Sequence, residues 1–198
     1  MSETAFSGGD ERRVLFFDQI GIGDVPVVGG KNASLGEMYR ELTARGVRVP
    51  NGFAITAGAY WDTLKDAGTL DRLHELMDGL DVDDVAALQR SAEAAREMVY
   101  ATPLSPALEE EILAGYRSLR EEYGDDVSLA VRSSATAEDL PEASFAGAHE
   151  TLLNVRGDAN LIDAVRRCYA SMFTDRGIHY RVEHDFGQLD VAQSVTVM

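Results

Sequence analysis

Cysteine, lysine and proline are scarce in this chain of 198 residues, which holds one, two and five of them. A lone cysteine, Cys168, excludes an internal disulfide and any cysteine-based zinc site. It falls on the apolar side of a predicted helix and reads as a buried core thiol rather than a nucleophile. Long hydrophobic runs are missing too. No apolar stretch exceeds four residues, whereas a membrane-spanning helix needs about 20. The segment Met1 to Arg13 begins acidic and holds no apolar stretch of signal-peptide length, so the expected location is the cytoplasm. Positive charge is in short supply: 18 Lys plus Arg face 34 Asp plus Glu, a net charge of −16. That field repels phosphate backbones and argues against general nucleic-acid binding. Lys31 and Lys65 are the two lysines. GC-rich coding and a salt-adapted acidic surface both account for the arginine bias.

What is present is ordinary globular material, 45% hydrophobic and 26% charged. A chain of this size buries about 70% of its unfolded surface, enough for a core. Residues 1–12 are polar and read as a flexible tail, with one domain over 13–198. The pattern predicts a strand at Arg13–Phe17, a Gly-rich stretch over 21–30, and a helix from Asn32 to Arg45 closed by Gly46. Two short extended pieces follow about Pro50-Asn51-Gly52. A helical section then runs from 57 to 123. Thr56, Asp83 and Ser105-Pro106 are its cap signals, and Gly124 ends it. The last third reads as a strand at Ser128–Arg132, a polar loop over Ser133–Gly147 and a strand at Glu150–Val155. A helix follows from an Asp158 cap, then a Gly177-weakened helix, and an alternating strand over Val191–Met198.

Two segments could carry chemistry. In Val28-Gly29-Gly30-Lys31-Asn32 the glycines allow close approach of backbone to a ligand. The helix beyond presents free N–H groups and a positive dipole end, with Lys31 in reach of a phosphate. It is not a Walker A loop, because Val25 stands where that motif needs glycine and Asn32 where it needs Ser or Thr. A glycine turn into a helix with a surface lysine reads these residues equally well. In Ala130-Val131-Arg132-Ser133-Ser134, a strand that ends in arginine puts a guanidinium at the sheet's rim, suited to phosphate oxygens. The small hydroxylic residues after it could form a lid. Here the competing reading is a solvated loop with Arg132 paired to Glu138 or Asp139. Nothing among His74, His149, His179 and His184 has metal-ligand spacing.

Taken together the motifs are more specific. Val28–Glu37 (VGGKNASLGE), Val49–Thr56 (VPNGFAIT), Ala130–Pro141 (AVRSSATAEDLP), Ser144–Val155 (SFAGAHETLLNV) and Tyr169–Val182 (YASMFTDRGIHYRV) resemble the N-terminal nucleotide-binding domain of the phosphoenolpyruvate synthase family. Pyruvate phosphate dikinases and rifampicin phosphotransferases share that superfamily. Asn32-Ala33-Ser34-Leu35-Gly36-Glu37-Met38 and Asn51 are most similar to the synthases.

The resemblance implies an α+β fold: the first lobe of an ATP-grasp module, with a small mixed sheet and a helical section. It implies ATP as ligand, with Lys31 and Arg132 on its phosphates and Gly147 and Thr151 beside the nucleotide. The reaction implied for the whole enzyme converts ATP, pyruvate and water to AMP, phosphoenolpyruvate and phosphate through a swivelling histidine domain and a barrel. Mg2+ ligands are expected in the second ATP-grasp lobe and pyruvate contacts in domains beyond Met198. The 198 residues alone are therefore expected to be catalytically inactive, with no catalytic or metal residue of their own. A rifampicin phosphotransferase fragment and a stand-alone, non-catalytic nucleotide-binding protein are the other readings. Two positions depart from the family pattern: Ala148 in place of glutamine, and Gly177 in place of alanine, which is expected to loosen its helix.

Overall fold

Five short strands and seven helices make up the computed structural model, which describes residues 12–136, 150–184 and 186–198. The strands are β1 (Val14–Phe16), β2 (Phe53–Ile55), β3 (Leu129–Ala135), β4 (Thr151–Val155) and β5 (Gln193–Val197), ordered β1-β2-β5-β3-β4. Every pairing is antiparallel, which corrects the expected mixed sheet. The reason lies in the connections. The excursion after β1 returns to the sheet end it left, so that Phe53 pairs with Phe16. Strands β2 and β3 run the same way but never meet, because β5 inserts between them.

Helix α1 (Val25–Thr43) covers one face of this sheet, packing on β3 and β5. Beneath it Leu15, Phe17, Ile20, Val28, Ala33 and Ala54 form a small buried cluster. The larger core lies on the opposite face. There α2 (Ala57–Asp66), α3 (Thr69–Met77), α4 (Val85–Ala101), α5 (Pro106–Tyr123) and α6 (Asp158–Ala170) bring Tyr60, Leu73, Ile112, Val165 and Cys168 against Phe53, Val131 and Val195. Burial pushes the Cys168 thiol well above its ordinary value, so this residue is core and not a nucleophile.

Most helix starts follow their caps. Thr56 accepts from the Ala59 amide and Ser105 from the Leu108 amide. Two caps differ from expectation. Asp84, not Asp83, accepts from the amides of Ala86 and Ala87, while Asp158 lies in the first turn of α6 behind Gly157. Helix α7 (Asp175–Glu183) runs unbroken through Gly177. A methyl there would stand 3.0 Å from Thr174 Oγ1 and 3.1 Å from the Met172 carbonyl, so glycine lets this end close tightly on its cap. Arg181 of α7 is fully buried. It donates to the Met172 carbonyl (2.8 Å) and Gln188 Oε1 (2.9 Å), and burial lowers its pKa to about 10.

Candidate functional site

Helix α1 is broken where the sequence places its paired glycines. Gly29 has φ 73° and ψ 161°, outside helical space, with helix on both sides of it. The helix expected from Asn32 therefore begins at Val25, inside the Gly-rich stretch, because Pro26 suits a first turn and one positive-φ residue suffices to redirect the chain. The close approach explains the residue type. A methyl at position 29 would overlap Ser134 Oγ and stand 2.9 Å from the carbonyl oxygens of both Ser134 and Ala135. Just beyond the break, Lys31 Nζ reaches the Ser133 carbonyl at 3.4 Å. The lysine is thereby held against the strand that carries Arg132.

Strand β3 runs to Ala135, three residues past its expected end at Arg132. Ser133 and Ser134 are paired with β5 instead of belonging to the loop. Across the sheet, Ala54, Thr196, Arg132 and Thr151 are successive cross-strand partners and share one face. Ala54 packs in the cluster under α1, so this is the α1 face. The Ser134–Ser194 pair, two residues along, lies on it as well. Lys31, Arg132 and Thr151 thus come together on one side of the molecule. Gly147 lies outside the described residues, as do Glu138, Asp139, Ala148 and His149.

This face is rich in polar atoms awaiting partners. Arg132 Nε, Ser134 Oγ, Thr196 Oγ1 and Asn32 Oδ1 are buried and have no hydrogen-bond partner among the described residues. Each orphaned buried polar group costs roughly 1–3 kcal/mol, and four of the ten such atoms among the described residues gather on this face. Further along the same strands, where Ala130 and Met198 exchange backbone hydrogen bonds, a groove of about 410 Å³ opens. Pro50, Tyr123, Ala130, Leu153 and Met198 line it, and Leu153 is 66% exposed. The arrangement joins cationic and hydroxylic groups at one end to an apolar trough at the other. Such a surface can hold the phosphates and the ring system of a nucleotide.

Among the described residues no group of three or more His, Cys, Asp or Glu side chains could hold a metal ion. The described side chains named on this face, Lys31, Asn32, Arg132, Ser134, Thr151 and Thr196, carry no carboxylate for a magnesium ion. No described helix is long and apolar enough to cross a membrane.

The sequence singles out Lys31, Arg132, Gly147 and Thr151, names Asn32 only within its motif and Ser134 only as a lid residue, and gives no sign of Ser194 or Thr196. Period-two alternation extended from Arg132 would have put Ser134 on the arginine's face. Nothing local signals that Asn32 meets Ser194, 162 residues away.

The sequence profile of the pyruvate phosphate dikinase, AMP/ATP-binding domain matches residues 25–198. The phosphoenolpyruvate synthase of Pseudomonas aeruginosa (strain UCBPP-PA14) is 49% identical over 184 residues, covering 93% of this chain and 23% of that protein. That of Escherichia coli (strain K12) is 46% identical over 191 residues, covering 96% and 24%. That of Synechocystis sp. (strain ATCC 27184 / PCC 6803 / Kazusa) is 45% identical over 202 residues, covering 100% and 25%. The chain spans about a quarter of the length of these relatives.

Proposed function

Since this chain belongs to the pyruvate phosphate dikinase AMP/ATP-binding domain family, we propose that it forms one wall of the ATP site of a phosphoenolpyruvate synthase and is the first lobe of an ATP-grasp module. The whole enzyme would convert ATP, pyruvate and water to AMP, phosphoenolpyruvate and phosphate. In this lobe Lys31 and Arg132 take phosphate oxygens, Gly147 and Thr151 border the nucleotide, and the groove at Ala130, Leu153 and Met198 receives the base. One observation carries the reading. The Lys31 ammonium is held at the backbone of the residue next to Arg132, on a face with four orphaned buried polar atoms. The names of the similar proteins favour the synthase over an antibiotic phosphotransferase.

Two cations on one wall position a polyphosphate; they do not complete its transfer. Phosphoryl transfer depends on metal-bridged phosphates held between charged groups from several sides. Magnesium would arrive on the nucleotide and find its protein ligands in the second lobe. Pyruvate would be met only by other domains. Lys31 and Arg132 together supply about 3–6 kcal/mol before ordering costs; with those subtracted, the dissociation constant falls in the millimolar range or weaker.

Equilibrium dialysis of the 198-residue chain against labelled Mg-ATP tests the binding. Retention at millimolar nucleotide that disappears in Arg132→Ala is the expected result. Equal retention by Arg132→Ala contradicts the assignment of the phosphate wall. The same preparation, given ATP and pyruvate, should form no AMP.

A further inference from the structure

Asn32 is fully buried in the first turn after the break in α1, directly beside Lys31. Asparagine is a mediocre helix former, and burial of its amide is costly unless it is bonded. Its Nδ2 donates twice, to the Val28 carbonyl at 2.8 Å and to Ser194 Oγ at 3.0 Å. Ser194 Oγ in turn donates to the Ile55 carbonyl at 2.7 Å. A carbonyl oxygen only accepts, so the contact with Val28 fixes which end of the amide carries the nitrogen. The chain of bonds therefore runs from the residue before the Gly29 break, through Asn32, to strands β5 and β2. It clips shut the turn that carries Lys31, and does so from underneath, on the sheet itself.

We infer that Asn32, anchored on Ser194, is the positioning residue of this site: it holds the Gly29–Lys31 turn so that the Lys31 ammonium stays beside Arg132. Gly29 and Gly30 have no side chains with which to bond the sheet, whereas Asn32 bonds both the turn and, through Ser194, the sheet. Without the clip, a turn holding two glycines has many conformations to choose from. The residue acts through Lys31 and not on the nucleotide. Its Nδ2 is engaged twice already, and its remaining polar atom, Oδ1, is an acceptor that does not suit phosphate. That Lys31 then meets a phosphate rests on the function proposed above; the clip itself does not.

Lysine content makes the test direct, because Lys31 and Lys65 are the two lysines of the chain. Trace acylation of the native protein, followed by peptide mapping, reads the reactivity of Lys31 against exposed Lys65. In the parent protein Lys31 should react more slowly than Lys65, and Mg-ATP should slow it further. In Asn32→Ala the Lys31 rate should rise roughly five- to tenfold, the factor that corresponds to about 1–1.4 kcal/mol of lost restraint. The rate of Lys65 should not change, which separates release of the turn from global loosening. The Mg-ATP concentration that half-protects Lys31 should rise by a similar factor, with full protection still reached at saturation. Should Asn32→Ala fail to fold, Ser194→Ala decides, since it keeps the Val28 bond and removes the anchor; a rise of about threefold is expected. An unchanged Lys31-to-Lys65 ratio in the folded variants overturns the inference. A ratio that shifts as expected, with no protection by Mg-ATP in the parent protein, leaves the clip standing and overturns the nucleotide reading instead.

Discussion

Replacing Gly29 by alanine should be among the most damaging small substitutions in this protein, for two separable reasons. Its φ of 73° with ψ of 161° lies in a region held almost only by glycine, at a cost of at least about 1–2 kcal/mol to an L side chain. The new methyl would also overlap Ser134 Oγ and crowd two carbonyl oxygens at 2.9 Å. Backbone atoms of a paired strand cannot rotate away as a flexible side chain can, so overpacking adds about 1–3 kcal/mol. The sum, about 2–5 kcal/mol, is a large part of the 5–15 kcal/mol typical of a domain. Gly46 is the control. It has φ 81° but nothing within 4 Å of an added methyl, so Gly46→Ala carries the strain alone. Urea unfolding of both variants should place Gly29→Ala at least 1 kcal/mol below Gly46→Ala. At about 2–4 °C per kcal/mol for a chain of this length, its Tm should fall by roughly 5–15 °C. Equal losses in the two variants would refute the close approach of Gly29 to β3.

Three further outcomes are expected. Cys168 should resist thiol reagents in the native protein and react only as the chain unfolds, since it is fully buried; stoichiometric labelling without denaturant would contradict that placement. Stability should fall as pH rises above about 10. Burial raises the phenols of Tyr60 and Tyr169 above their ordinary 10.0, and the Cys168 thiol above 9.0, so their contribution is intact below those values and lost above them. Arg181 works in the opposite sense, its burial cost easing above about 10, but it is one group against three; the exposed phenols, such as Tyr100 and Tyr123, should ionise first, and the part of the tyrosinate absorbance due to Tyr60 and Tyr169 should rise in step with unfolding. Asp84→Ala should cost about 1 kcal/mol through loss of the α4 cap while Asp83→Ala stays within about 0.5 kcal/mol, as chemical denaturation would measure.

Local chemistry made much of the fold legible before any coordinates. Ser105-Pro106 and Gly124 bracket α5 where their capping preferences say they should, and the stripe of Leu108, Ile112, Tyr116 and Leu119 is buried as its spacing requires. What escaped was non-local. The insertion of β5 between β2 and β3 makes the sheet antiparallel throughout, and no periodicity encodes it. Ser133 and Ser134 look like loop residues because hydroxyl side chains favour turns, yet pairing with β5 holds them in β3. At the site, Lys31 and Arg132 were visible through motif chemistry, and Thr151 through the family resemblance. Asn32 stood in the same motif, but its anchoring did not show, because Ser194 and Ile55 stand 162 and 23 residues distant on strands β5 and β2. Arg181 lies in a helix marked in the sequence only by its weakening Gly177, and the fold alone shows its guanidinium turned onto the Met172 carbonyl.

The central claim is that one face of this lobe, at the junction of α1 with β3 and β4, receives the nucleotide. Backbone amide shifts followed by NMR during a Mg-ATP titration test it most directly. The account predicts saturable shifts at millimolar concentrations, concentrated at Gly29–Ser34, at Arg132–Ser134 and at Thr151, and absent in Arg132→Ala. Shifts that cluster elsewhere, or that survive unchanged in Arg132→Ala, would contradict it.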